Sequence, residues 1–212
     1  MRLSDSSTER TTAATDLLLS ATAAAAALYL LLQAPAPSFR IALWSGAFGL
    51  IALSAAAGAA FHGLVLPPGL RNALWQVVGT CLGLAISLFL AAVLHDAAGP
   101  RTAGRALPVL IAAGLLIYAV SRMVPGLFIV FILYQGAAVL AALAAYGRLA
   151  SDGALPGAGW VAAGLAVSLL AAAMQPLKGL RFTLGWEFDR NGLFHMVQAA
   201  GIVLLCVGVS RT

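Results

Sequence analysis

The chain has 212 residues, 62% of them hydrophobic and 9% charged, with a mean hydropathy of +0.98 and a formal net charge of +5. So few charges cannot cover a water-soluble exterior, and the apolar runs are far longer than the roughly 10-residue alternating strands of a membrane barrel, so a soluble domain and a barrel are both excluded. The basic residues stand singly in connections, as topology signals do, and form no patch for nucleic acid.

What remains is an all-α, seven-transmembrane-helix bundle forming one integral membrane domain over residues 1–212. Apolar runs near the length of a membrane span occupy roughly residues 11–33, 40–64, 72–95, 106–122, 126–148, 156–175 and 191–210. The polar start "MRLSDSSTER" is followed by a stretch without a cleavage signature, so the first run reads as a span and not as a signal peptide. Pro- and Gly-rich breaks separate the runs: "QAPAPS", "LPPG", "DAAGPR", "MVPG" and "SDGALPGAG". The last connection, "QPLKGLRFTLGWEFDR", is the longest, and its aromatic and charged residues predict a cap over the bundle end, with Trp186 at the interface. Ala and Gly are abundant throughout, which favours close helix packing. Cys81 and Cys206 both fall inside apolar runs at different depths, so no disulfide is expected.

Seven alternating spans put the start of helix 1, the end of helix 2 and the starts of helices 3 and 7 on one face, here called the N face. The intramembrane polar residues gather there. Asp16 lies early in helix 1 and His62 late in helix 2. Asn72 and Gln76 open helix 3, and Asn191, His195 and Gln198 open helix 7 just after Glu187 and Asp189. Asn191 and His195 are four apart and share a side of their helix. A lone aspartate in a span is costly, so Asp16 should face the bundle and meet a histidine or arginine. On the opposite face, His95 and Asp96 read as a solvated helix end. Trp44, Trp75, Trp160 and Trp186 lie near span ends and read as interfacial anchors. Tyr118, Ser121, Tyr134 and Gln135, inside helices 4 and 5, read as interhelical hydrogen-bonding groups.

This cluster supports two readings. In one, His62, His195 and Asp189 hold a metal ion, Asp16 and Asn191 are catalytic groups beside it, and Asn72, Gln76 and Gln198 line the pocket. Histidine nitrogen and carboxylate oxygen are the donors a zinc ion takes, and its bound water would attack a carbonyl. In the other, the same residues hydrogen-bond one another and pin the helices together.

The late histidine of helix 2, together with the N-xxx-H pair opening helix 7, resembles the alkaline ceramidase and adiponectin-receptor superfamily. The resemblance implies a seven-helix fold with zinc held by a helix 2 histidine and an H-xxx-H pair in helix 7, supported by a serine four residues before the first histidine and an aspartate near the start of helix 3. Carried over, His62 takes the helix 2 position and His195 the second histidine of the pair. Asn191 stands where that family has the first histidine of the pair, Gly58 where it has serine, and the aspartate region reads "RNALWQ". The segments "ERTTAATD" and "RNGLFHMVQ" also resemble a group of uncharacterised bacterial seven-helix proteins distantly similar to the ceramidases. The function implied is a zinc-dependent intramembrane hydrolase of a lipid amide or ester, in the bacterial inner membrane with membrane lipids as partners. The alternative is a non-enzymatic binder of a small molecule or lipid headgroup. A retinal protein is excluded, because the last helix has no lysine; Lys178 lies in the preceding connection.

Overall fold

The computed structural model describes residues 2–33, 36, 38–177 and 179–211; Lys178 lies outside them. Seven helices carry the described chain: α1 (Ser7–Gln33), α2 (Phe39–Gly63), α3 (Pro68–Ala98), α4 (Pro100–Met123), α5 (Phe128–Ser151), α6 (Ala158–Met174) and α7 (Arg190–Val209). All except α6 are long and apolar enough to cross a membrane. At 17 residues, α6 reaches about 26 Å, at the lower limit for a span. The protein is an all-α membrane bundle.

Several ends follow from local chemistry. The helix α1 begins at Ser7, ahead of the apolar run, because Ser6 and Glu9 form the S-x-x-E pattern of a helix start; the Glu9 amide donates to the Ser6 hydroxyl at 3.4 Å. Pro68 opens α3 from the first helical position, where its missing N–H costs nothing. The Ser38 hydroxyl caps α2 by accepting from the Ile41 amide at 3.2 Å.

Helices neighbour one another in chain order, and α7 closes the ring against α1. Glycines set the closest crossings. A Cβ at Gly164 of α6 would come within 2.9 Å of the Gly201 carbonyl of α7, and one at Gly83 of α3 within 3.1 Å of the Gly114 carbonyl of α4. Without side chains there, the backbones approach and gain packing that lipid does not otherwise supply.

Two small sheets decorate the N face. Arg2–Leu3 (β1) pairs antiparallel with Leu64–Val65 (β2), which ties the N-terminus to the end of α2. The connection between α6 and α7 forms a hairpin, Arg181–Leu184 (β3) with Trp186–Asp189 (β4), turning at Gly185 with φ +71°. Alternation puts Phe182, Leu184, Trp186 and Phe188 on one face and Arg181, Thr183, Glu187 and Asp189 on the other. The hairpin packs on the first turns of α1: Phe188 is buried, and the Ser7 hydroxyl donates to Glu187. Its tip residues Leu184 and Trp186 stay exposed.

The opposite face is locked by an ion pair. Asp96 on α3 accepts from Arg40 of α2 through both carboxylate oxygens, at 2.6 and 2.9 Å, and from the Tyr146 hydroxyl of α5 at 2.7 Å. The third guanidinium nitrogen of Arg40, Nη1, donates to the Val209 carbonyl of α7 at 3.1 Å. The Asp96 side chain is 1% exposed, so His95–Asp96 is not a solvated helix end. The carboxylate is buried and paired because Arg40, 56 residues earlier, starts the helix alongside. Trp44 likewise is no interfacial anchor. It is fully buried beside this pair, packed on Phe48, Phe89 and Tyr146. In helices α4 and α5 the Tyr118 hydroxyl reaches carbonyls of α3, whereas Ser121 and Gln135 bond back into their own helices.

Removing one partner of a buried pair strands the other charge. Asp96→Ala is expected to destabilise the fold by roughly 3–5 kcal/mol, and Tyr146→Phe by about 0.6–1.7 kcal/mol, measured as denaturant unfolding in detergent micelles. Equal, small effects of both changes would refute the keystone role of the pair.

Candidate functional site

The helix α1 presents Glu9, Thr12 and Asp16 at i, i+3 and i+7, one stripe two turns long. From α2 come Gly58 and His62, four apart, and from α7 His195. The three helices meet at the N face, and their polar groups form two acid–histidine pairs. In the outer pair, His62 Nδ1 lies 2.7 Å from Glu9 Oε2, with the His62 side chain 17% exposed and Glu9 40%. In the inner pair, His195 Nε2 lies 3.2 Å from Asp16 Oδ1, with both side chains nearly buried.

The pairs differ in what they leave free. His62 Nδ1–H donates to the Glu9 carboxylate, so in the neutral ring Nε2 is an acceptor, and that nitrogen meets no donor among the described residues. The other ring nitrogen of His195, Nδ1, lies 3.3 Å from the Thr15 hydroxyl. That hydroxyl is also within bonding distance of the Thr11 and Thr12 carbonyls of its own helix. Thr15 is buried and tied to its helix, so it is not placed as a nucleophile. Asp16 Oδ2 is buried with no hydrogen-bond partner among the described residues. It faces Gly58, where a Cβ would stand 3.0 Å from both carboxylate oxygens. The missing side chain of Gly58 leaves the carboxylate its room, one helical turn from the His62 ring.

The remaining predicted site residues lie around this centre without joining it. Asp189 is the N-cap of α7: its Oδ1 accepts from the Asn191 and Gly192 amides at 2.9 and 3.0 Å and from the Thr12 hydroxyl at 3.2 Å. The Asn191 side chain makes no hydrogen bond among the described residues. Gln198 turns to α6 and donates to the Ser168 hydroxyl at 3.1 Å. Asn72 accepts from Arg122 of α4 at 2.7 Å, and Gln76 lines a groove with Arg122 and Tyr118. Those two therefore belong to the α3–α4 side of the bundle.

Glu9 was not among the residues expected at the site. Its signal was its spacing, seven residues before Asp16 on a helix that starts earlier than the apolar run suggests. A zinc site needs three or four nitrogen, oxygen or sulfur donors around one point. No three His, Cys, Asp or Glu side chains among the described residues converge in that way. The ligating groups are instead divided between two pairs, with Asp189 committed to the helix cap, so no metal step is derived from them.

A family model matches residues 11–212. The chain belongs to the DUF6962 family, a family of unknown function. No curated protein and no solved structure matches it. The match spans α2 to α7 entire, α1 from residue 11 onward, and both acid–histidine pairs except Glu9, which lies just before it.

If the inner pair joins α1 to α7, Asp16 and His195 must be energetically coupled. A double-mutant cycle with Asp16→Asn and His195→Gln should return a coupling energy of about 0.6–1.7 kcal/mol, the range of interhelical hydrogen bonds in membranes. Strictly additive unfolding energies would contradict the pairing.

Proposed function

We propose that the α1–α2–α7 centre is a recognition site at the membrane–water boundary for a hydrogen-bond-donating group, an amine or hydroxyl, carried by a lipid headgroup or a small molecule. One observation carries this reading: Asp16 Oδ2, packed against the α2 backbone at Gly58, is buried and has no donor among the described residues. An unpartnered acceptor inside a membrane bundle is costly, and a ligand that donates to it recovers that cost. His62 Nε2, one turn away and partly exposed, is a second acceptor on the way in. An ionised Asp16 offers an acceptor at Oδ2, so the complementary head is a donor, best a cationic one.

A hydrolase acting on a lipid amide or ester is the second reading. The observation favouring it is the Glu9–His62 pair, in which a carboxylate on Nδ1 orients a ring whose Nε2 is free to take a proton from water. The expected location for either activity is the bacterial inner membrane, with membrane lipids as the partners.

Phosphatidylethanolamine and phosphatidylcholine separate these contacts cleanly, because both are zwitterionic and only the first donates hydrogen bonds from its amine. Full-length protein in mixed nanodiscs, read by native mass spectrometry, should retain the ethanolamine lipid preferentially, and free ethanolamine should compete if a soluble amine suffices. Asp16→Asn should weaken the preference by roughly tenfold or more, the worth of one charge-assisted hydrogen bond. Equal retention of both lipids, alongside stoichiometric zinc and amide or ester hydrolysis lost in His62→Ala, would overturn the binding reading in favour of the hydrolase.

A further inference from the structure

On the far side of α3 from the acid–histidine pairs, α3 and α4 enclose an open groove of about 520 Å³. Gln76 and Thr80 of α3 form one wall. The other comes from α4 as a single face, Leu115, Tyr118, Ala119, Arg122 and Met123, at i, i+3, i+4, i+7 and i+8. Tyr118 makes the floor. It lies flat against α3 because Gly79 has no side chain to hold it off, and its hydroxyl reaches the Trp75 and Gln76 carbonyls at 3.4 and 3.5 Å.

The groove is polar at one end and apolar at the other, along the membrane normal. Arg122 sits in the last turn of α4, at the N face. Its guanidinium donates to Asn72 at 2.7 Å and has no carboxylate within ion-pair distance among the described residues. Leu115, seven residues back, lies roughly 10 Å deeper. Arg71, which opens α3 beside Asn72, stacks on Phe61 and also has no acidic partner among the described residues. The side chains of Gln76 and Thr80 meet no hydrogen-bond partner among the described residues, although both lie in a membrane helix. Uncompensated positive charge at headgroup level, open polar groups just below it and an exposed apolar channel beneath match, in order, the phosphate, the ester region and the chain of a lipid.

We propose that the α3–α4 groove seats one anionic phospholipid, with its phosphate on Arg122 beside Asn72, its glycerol esters against Gln76 and Thr80, and an acyl chain along Ala119 and Leu115. The charge decides between occupants. A zwitterionic lipid brings its own cation to a site that already holds one, whereas phosphatidylglycerol brings net negative charge to arginines that lack a partner.

The test uses the full chain in nanodiscs of phosphatidylglycerol and phosphatidylcholine, read by native mass spectrometry for retained lipid. Wild type should hold one phosphatidylglycerol in preference to phosphatidylcholine. Arg122→Gln should reduce that preference roughly fivefold, one surface charge's worth, whereas Arg105→Gln, at the opposite end of α4, should leave it unchanged. Ala119→Trp, which fills the channel and keeps the charge, should lower retention of the lipid. A melting curve for each variant reports whether it folds; if Arg122→Gln does not, Asn72→Ala and Ala119→Trp carry the test. No preference in wild type, the same preference in Arg122→Gln or Ala119→Trp, or displacement by soluble glycerol phosphate without a chain would each overturn the assignment.

Discussion

A buried polar group inside a membrane helix bundle must find a partner within the protein, because lipid offers none. The two ends of this bundle meet that constraint differently. At one end Asp96 is satisfied on every side, by both contacts from Arg40, by Tyr146 and by His95. Helices α2, α3, α5 and α7 all contribute to that closure. At the N face Asp16 has one oxygen on His195 and one on nothing. The same residue type thus serves as a keystone at one end and as an open acceptor at the other.

The difference is built from small residues and spacing. Gly58 lets the backbone of α2 pack directly against the Asp16 carboxylate, while the heptad step from Asp16 back to Glu9 places a second carboxylate where the end of α2 delivers His62. Asp189 then fixes the start of α7 by capping it and bonding Thr12 of α1, which sets His195 at the depth of Asp16. Above this the hairpin rests on α1 with its aromatic tip exposed, and the β1–β2 pair lies just beyond His62.

Much of this was legible in the sequence. The helices stood out because a membrane span must be a long apolar run, and the polar residues could be assigned to one face because direction alternates. A lone Asp16 in a span calls for a histidine or arginine facing it from within the bundle, and it lies 3.2 Å from His195. What stayed hidden depended on distant partners or on signals outside the runs. Glu9 lies in a polar segment that reads as a tail until the Ser6–Glu9 start signal extends α1 backward. Asp96 looks solvated at a helix end because its arginine is on another helix. Trp44 looks interfacial by position along its helix, and only the packing of α3 and α5 around it buries it. The hairpin is hidden although "RFTLGWEFD" alternates about a glycine, because two four-residue strands are far shorter than the apolar runs that mark the helices.

The account rests on the two histidines being held by carboxylates, each in a definite protonation pattern. Nitrogen NMR of histidine-labelled protein in nanodiscs at neutral pH reads that pattern directly. His62 should show a protonated, hydrogen-bonded Nδ1 and a bare Nε2, with the Nδ1 signal changing in Glu9→Gln, and the His195 resonances should change in Asp16→Asn while those of His62 hold. Metal-coordinated nitrogen on both rings in the purified protein, insensitive to Glu9→Gln, would contradict the account.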